Sequence, residues 1–179
     1  MNELIFRIIM ASPWLVILCI FDIRQRKLPN KWTLGGAAVA LVYCLGYGGW
    51  GLFLQGLAAG LLCGLFLILP FILRAAGGGD VKMLFGCGIL VGLHNVLSFL
   101  FFVSVSGFFV AVFMWLAGKV DSSRLKHYFH CLFDWRYDRN AGKQNLPPAN
   151  SEKCRVPFGV AIALGTWMTF VWEFFGGRL

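Results

Sequence analysis

The chain is built from long apolar runs separated by short polar breaks. Apolar residues dominate the stretches at about 4–21, 34–49, 52–73, 81–93, 96–117 and 156–175. Most of these approach the roughly 20 residues a helix needs to cross a bilayer. The pattern predicts an all-α polytopic membrane protein. Six transmembrane helices form one domain over residues 1–179, with a cytoplasmic loop at 118–155. The first run has no basic segment before it and no small-residue cleavage site after it, so it reads as a retained helix. The run from Val81 to Gly92 is the exception in length. At 1.5 Å per residue it covers ~18 Å, against a hydrocarbon core of roughly 30 Å. Either its outer turn dips into the membrane, or the helix starts below the surface and draws its first residues inward.

The breaks carry ordinary punctuation. Pro29 stops a continuing helix, and Asn30 or Thr33 is placed to cap the next one. Gly48-Gly49 closes the second run. Gly56, Gly60 and Gly64 recur at every fourth position of the third, giving a face that another helix backbone can approach closely. In the long polar segment, Leu125, Tyr128, Phe129, Leu132 and Phe133 follow helical spacing, with Arg124, Lys126, His127 and His130 on the other face. That predicts a helix lying flat on the cytoplasmic leaflet.

Composition agrees with the pattern. The chain is 59% hydrophobic and 13% charged, with mean hydropathy +0.74. The net charge of +8 does not imply nucleic acid, because the basic residues flank apolar runs. With the Asp22, Asp80 and 119–155 loops on one face, that face carries 14 of the 16 Lys and Arg, leaving Arg7 and Arg178 opposite. The positive-inside rule makes it cytoplasmic and puts both termini outside. The six cysteines are scattered without a Cys-x-x-Cys pair, and His127, His130 and Cys131 lack further ligands, so no metal or other cofactor is assigned.

Chemistry is concentrated at two acids. Gly77-Gly78-Gly79-Asp80 stands between two apolar runs, with Asp80 at the mouth of a helix where its carboxylate caps free N–H groups. Asp22 ends the first span on the same face. Alone, each acid reads as an interfacial carboxylate beside basic residues. Acids near membrane depth are nonetheless costly and become functional candidates. Brought together, two carboxyls resist double ionisation and share a proton, which suits activation of water for peptide hydrolysis. No Ser/His or Cys/His constellation competes. Considering each acid's own helix end, Asp80 is expected to act as base and Asp22 as acid.

Asp22-x-Arg24 leading to Leu28-Pro29-Asn30, then Gly77-x-Gly79-Asp80-x-Lys82, then Pro157-Phe158-Gly159, resembles the type IV prepilin leader peptidases, membrane aspartic proteases of the GxGD kind. The resemblance implies an inner-membrane enzyme that removes basic leaders from prepilins at the cytoplasmic face. Asp22 and Asp80 would be the catalytic pair. Gly77, Gly79, Lys82, Arg24, Pro29, Asn30, Pro157, Phe158 and Gly159 would be supporting residues. Larger relatives carry an added cytoplasmic region and also N-methylate the new pilin terminus. That region is missing here, so methyltransferase activity is not expected, and the size is similar to peptidase-only forms serving Tad/Flp-type pili. Partners are then a prepilin and membrane lipids, without nucleic acid. Two other readings of the same residues are a small transporter or channel using the interfacial acids, and a non-catalytic pilus-assembly scaffold.

Overall fold

The computed structural model describes residues 2–25, 28–72, 76–116 and 158–176. The described residues are helical apart from short connections. In chain order they form α1 (Asn2–Gln25), α2 (Asn30–Ile72), α3 (Gly78–Val91), a single 3-10 turn (Leu93–Asn95), α4 (Val96–Leu116) and α5 (Phe158–Phe174). Three stretches, Glu3–Gln25, Asn30–Ile72 and Leu93–Leu116, are long and apolar enough to cross a membrane. Among the described residues the fold is all-helical, without strands, and its apolar helices are of the kind that membrane proteins use. The expected surface helix in 125–133, the 118–155 loop and Pro157 lie outside the described residues.

The second and third apolar runs belong to one continuous stretch, α2, broken at Gly49, where φ is +62° and ψ −157°. That left-handed backbone suits glycine and disfavours any residue with a Cβ. The chain folds back there, because a Cβ on Gly56 would stand 3.2 Å from Cys44 Sγ, a contact that a straight helix forbids. The two halves of α2 therefore lie side by side and clasp α3. Gly86 of α3 meets Ala37 of the first half, while Gly88 meets Ala59 and Cys63 of the second.

The expected glycine face is now accounted for. A Cβ on Gly60 would come within about 3 Å of Ile89 and Phe85 of α3, one on Gly56 would press on Ile89, and one on Gly64 would make ordinary contact with Phe85. This face packs inside the protein. At the other side of α3, Gly165 of α5 meets the backbone of Val103 in α4, with 2.7 Å between a Cβ there and the Val103 Cα. Small residues make up part of the interior, with Ala11, Ala37, Ala40, Ala59, Cys63 and Cys87 buried beside larger side chains such as Phe99, Phe170 and Leu15. Large side chains such as Phe101, Phe108, Phe113 and Leu116 face outward. This is the arrangement expected where lipid, rather than water, surrounds the helices.

α3 is the centre of the bundle. From Met83 to Val91 all but Phe85 are buried. Its 14 residues extend ~21 Å, so it is shorter than a bilayer core even with the extra turn at its start. That start differs from expectation: the helix begins at Gly78, so Gly78, Gly79 and Asp80 form its first turn instead of a loop before it. α2 likewise begins at Asn30, four residues earlier than its apolar run. The carbonyl of Pro29 accepts the N–H groups of Trp32 and Thr33, which opens the helix. Neither expected cap is used as such. Thr33 Oγ1 turns back to the Asn30 carbonyl at 3.3 Å, and the Asn30 side chain is engaged elsewhere.

Candidate active site

The end of α1 and the starts of α2, α3 and α5 meet at one end of the bundle. Asp22 lies within the last turn of α1, which continues through Gln25 instead of stopping at Phe21. Its side chain is buried, 5% exposed. Oδ2 accepts the backbone N–H of Val160, in the first turn of α5, at 3.2 Å. A helix N-terminus leaves N–H groups free and carries partial positive charge, so it is a suitable seat for a carboxylate. Gly159 makes that seat possible. A Cβ there would lie 2.7 Å from Asp22 Oδ2 and 3.1 Å from its Cγ. Phe158 anchors the turn from the other side by packing close to Gly107 of α4.

Asp80 is held in a related way. Its Oδ2 accepts the N–H of Gly77 at 2.9 Å, while its own N–H donates to the Gly77 carbonyl at 3.0 Å. This is the acid half of a capping box at the N-terminus of α3. A Cβ on Gly77 would press to 3.1 Å from Asp80 Oδ2. The tightest of the three glycines is Gly79, where a Cβ would come within 2.7 Å of the Leu28 Cβ. That contact seats the α1–α2 connection directly on the first turn of α3. The same junction carries a side-chain bond: Lys82 Nζ donates to Asn30 Oδ1 at 2.8 Å.

Most of the sequence-derived set therefore has a place here. Gly79, Lys82, Pro29 and Asn30 join α3 to the start of α2. Gly77 holds Asp80, and Phe158 and Gly159 hold Asp22. Arg24 is exposed in the last turn of α1. One expectation changes. Asp22 was to be distinguished from Asp80 by sitting at a helix C-terminus, yet its carboxylate meets the N-terminus of another helix. Each acid accepts a backbone N–H at a helix start, so helix polarity does not separate a base from an acid.

At the far end of α1, ~22 Å away by helical rise, lies a cluster around Arg7, which the charge count places opposite the cytoplasmic face. Arg7 Nη2 pairs with Glu173 Oε1 of α5 at 2.7 Å, and Arg7 Nε stands 3.7 Å from Glu3. Nη1 donates to the carbonyls of Leu90 and Val91, at 3.2 and 3.4 Å. The guanidinium thus satisfies carbonyls left open at the C-terminus of α3 and complements its negative end. A signal existed: an arginine inside one apolar run and a glutamate inside another require partners.

Comparison with curated proteins and with solved structures finds no match. A family model does match, that of the type IV leader peptidases, over residues 9–112. The matched span holds Asp22, the Asn30–Lys82 junction and the glycine turn with Asp80, and it covers more than half of the chain. With the acids, the glycine turn and the helical framework in one chain, the protein belongs to the type IV leader peptidase family.

Proposed function

We propose that this chain is a membrane aspartic endopeptidase that removes the basic leader of a type IV prepilin, possessing no methyltransferase activity. In this reading Asp22 and Asp80 act on one water. One carboxylate takes a proton from that water as its oxygen attacks the scissile carbonyl carbon. The other, protonated, donates to the carbonyl oxygen, giving a tetrahedral diol. Collapse breaks the C–N bond, and a proton passes to the leaving amine. No covalent enzyme intermediate is needed.

The observation that carries the reading is the pair of acid seats at one end of the bundle, one at the start of α5 and one at the start of α3. Backbone N–H groups hold both carboxylates while the Asn30–Lys82 bond and the Leu28–Gly79 contact tie the same end together. Such positioning is what water activation requires. The charge pattern supports six crossings with this end on the cytoplasmic side and both termini outside, in a cytoplasmic membrane. A prepilin, with a basic leader in the cytosol and an apolar helix in the bilayer, would present its scissile bond at that level.

The test is incubation of the purified chain with a prepilin and, separately, with an unrelated membrane peptide, locating each cut by mass spectrometry. A single cut at the leader junction, lost in Asp22→Asn and in Asp80→Asn, is expected. Near-normal turnover by Asp22→Asn overturns the two-acid mechanism.

A further inference from the structure

A cavity of about 530 Å³ lies between α1 and the first half of α2. Its walls are Met10 and Trp14 of α1, Gly35, Gly36 and Val39 of α2, and Leu90 of α3. Lys31 and Trp32 stand at one end, next to Asn30 and its bond to Lys82. Trp14 forms the floor. Its ring lies against Gly36, close to Gly86 of α3, and its Nε1–H donates to the Trp32 carbonyl at 2.8 Å. The indole donor is therefore already used, and the walls offer an occupant almost only apolar surface.

From Lys31 to Val39 the groove follows α2 for ~12 Å. It opens beside exposed Val39 and Trp32, on the surface that faces lipid. We propose that it is a binding site for one anionic phospholipid, an acyl chain lying along Gly35 and Val39 and the headgroup phosphate on the Lys31 ammonium. The chemistry of the groove is divided as that ligand is divided, apolar along its length and cationic at the end where a headgroup would emerge. Charge complementarity selects an anionic lipid over a basic peptide, which Lys31 would repel. The proposal stands independently of the protease reading. If that reading also holds, the bound phosphate lowers the positive charge that Arg24, Lys31 and Lys82 would otherwise present to a basic leader.

Two variants separate the parts of the site. Lys31→Gln removes the cation. Gly35→Leu fills the groove, and a Cβ at Gly35 meets nothing within 4 Å, so the helix tolerates the change. The protein is extracted from nanodiscs containing equal phosphatidylglycerol and phosphatidylcholine, and retained lipid is measured by native mass spectrometry. Wild type is expected to retain phosphatidylglycerol preferentially, with excess inorganic phosphate failing to displace it. Lys31→Gln should lower that preference about fivefold, the worth of one cation near a membrane surface, and Gly35→Leu should lower retention of both lipids. Equal retention of the two lipids by wild type, or an unchanged preference in Lys31→Gln, overturns the proposal. So does a photocrosslinker at Val39 that captures a prepilin helix in place of lipid.

Discussion

At one end of the bundle Arg7 reaches Glu173 across 2.7 Å and caps the carbonyls that finish α3. At the other end Asp22 and Asp80 each accept a backbone N–H at a helix start. The first arrangement pairs opposite charges and joins α1, α3 and α5 by side chains. In the second, each acid accepts a backbone N–H, and glycines at those helix starts leave room for the carboxylates. Charge at the Arg7 end is consumed in holding the helices together. Under the proposed function, the acids at the other end do chemistry instead. Mutations at the two ends should therefore fail in different assays.

The sharpest test is to neutralise the acids. Asp22→Asn and Asp80→Asn should each lower prepilin cleavage by about a thousandfold or more, within or beyond the range for loss of a general acid or base. Detergent-state melting should change little in either. Next comes Gly159→Ala. Its Cβ would intrude on Asp22 Oδ2, and a displaced carboxylate should lower kcat about a hundredfold. KM for the prepilin should hold, which distinguishes misplacement from lost binding.

Arg7→Met inverts the comparison. It leaves Glu173 partly buried without its cation, and should reduce stability by about 2 kcal/mol, discounted from the cost at a fully buried pair because both side chains are partly exposed. The double variant Arg7→Met with Glu173→Gln should recover part of that loss, as read by denaturant unfolding in detergent. The smallest effect is expected from Lys82→Gln. The bond to Asn30 is exposed, so stability should fall by no more than about 1 kcal/mol and cleavage by less than tenfold. A larger loss of cleavage would move Lys82 from joining α2 and α3 into the reacting centre.

The sequence showed the helices well because lipid-facing runs need length and apolarity, both of which are local. It showed the Gly77–Asp80 turn for the same reason: an acid following glycines at a helix start is a local pattern. What it missed lies in distant pairs. Asp22 and Val160 are 138 residues apart, and only the fold reveals that the neighbour of Asp22 is a helix start. Reasoning from its own helix alone gave the opposite polarity. Gly159 was singled out only through the family resemblance, and its steric role appears once Asp22 stands against it. Lys82 and Asn30 were both singled out, yet nothing local to either predicted that they bond across 52 residues. Arg7 was counted in the charge balance without the Glu173 that accounts for it.

The reversal at Gly49 also bears on how the protein is made. α3 is the shortest of the principal helices and has no outward face large enough to favour residence in lipid alone. Ribosomes deliver the α2 hairpin first, so the cleft between its halves is complete before the segment that fills it leaves the translocon. A residue other than glycine at position 49 should then be felt first during biogenesis, as failure of α3 to integrate and turnover by membrane quality control.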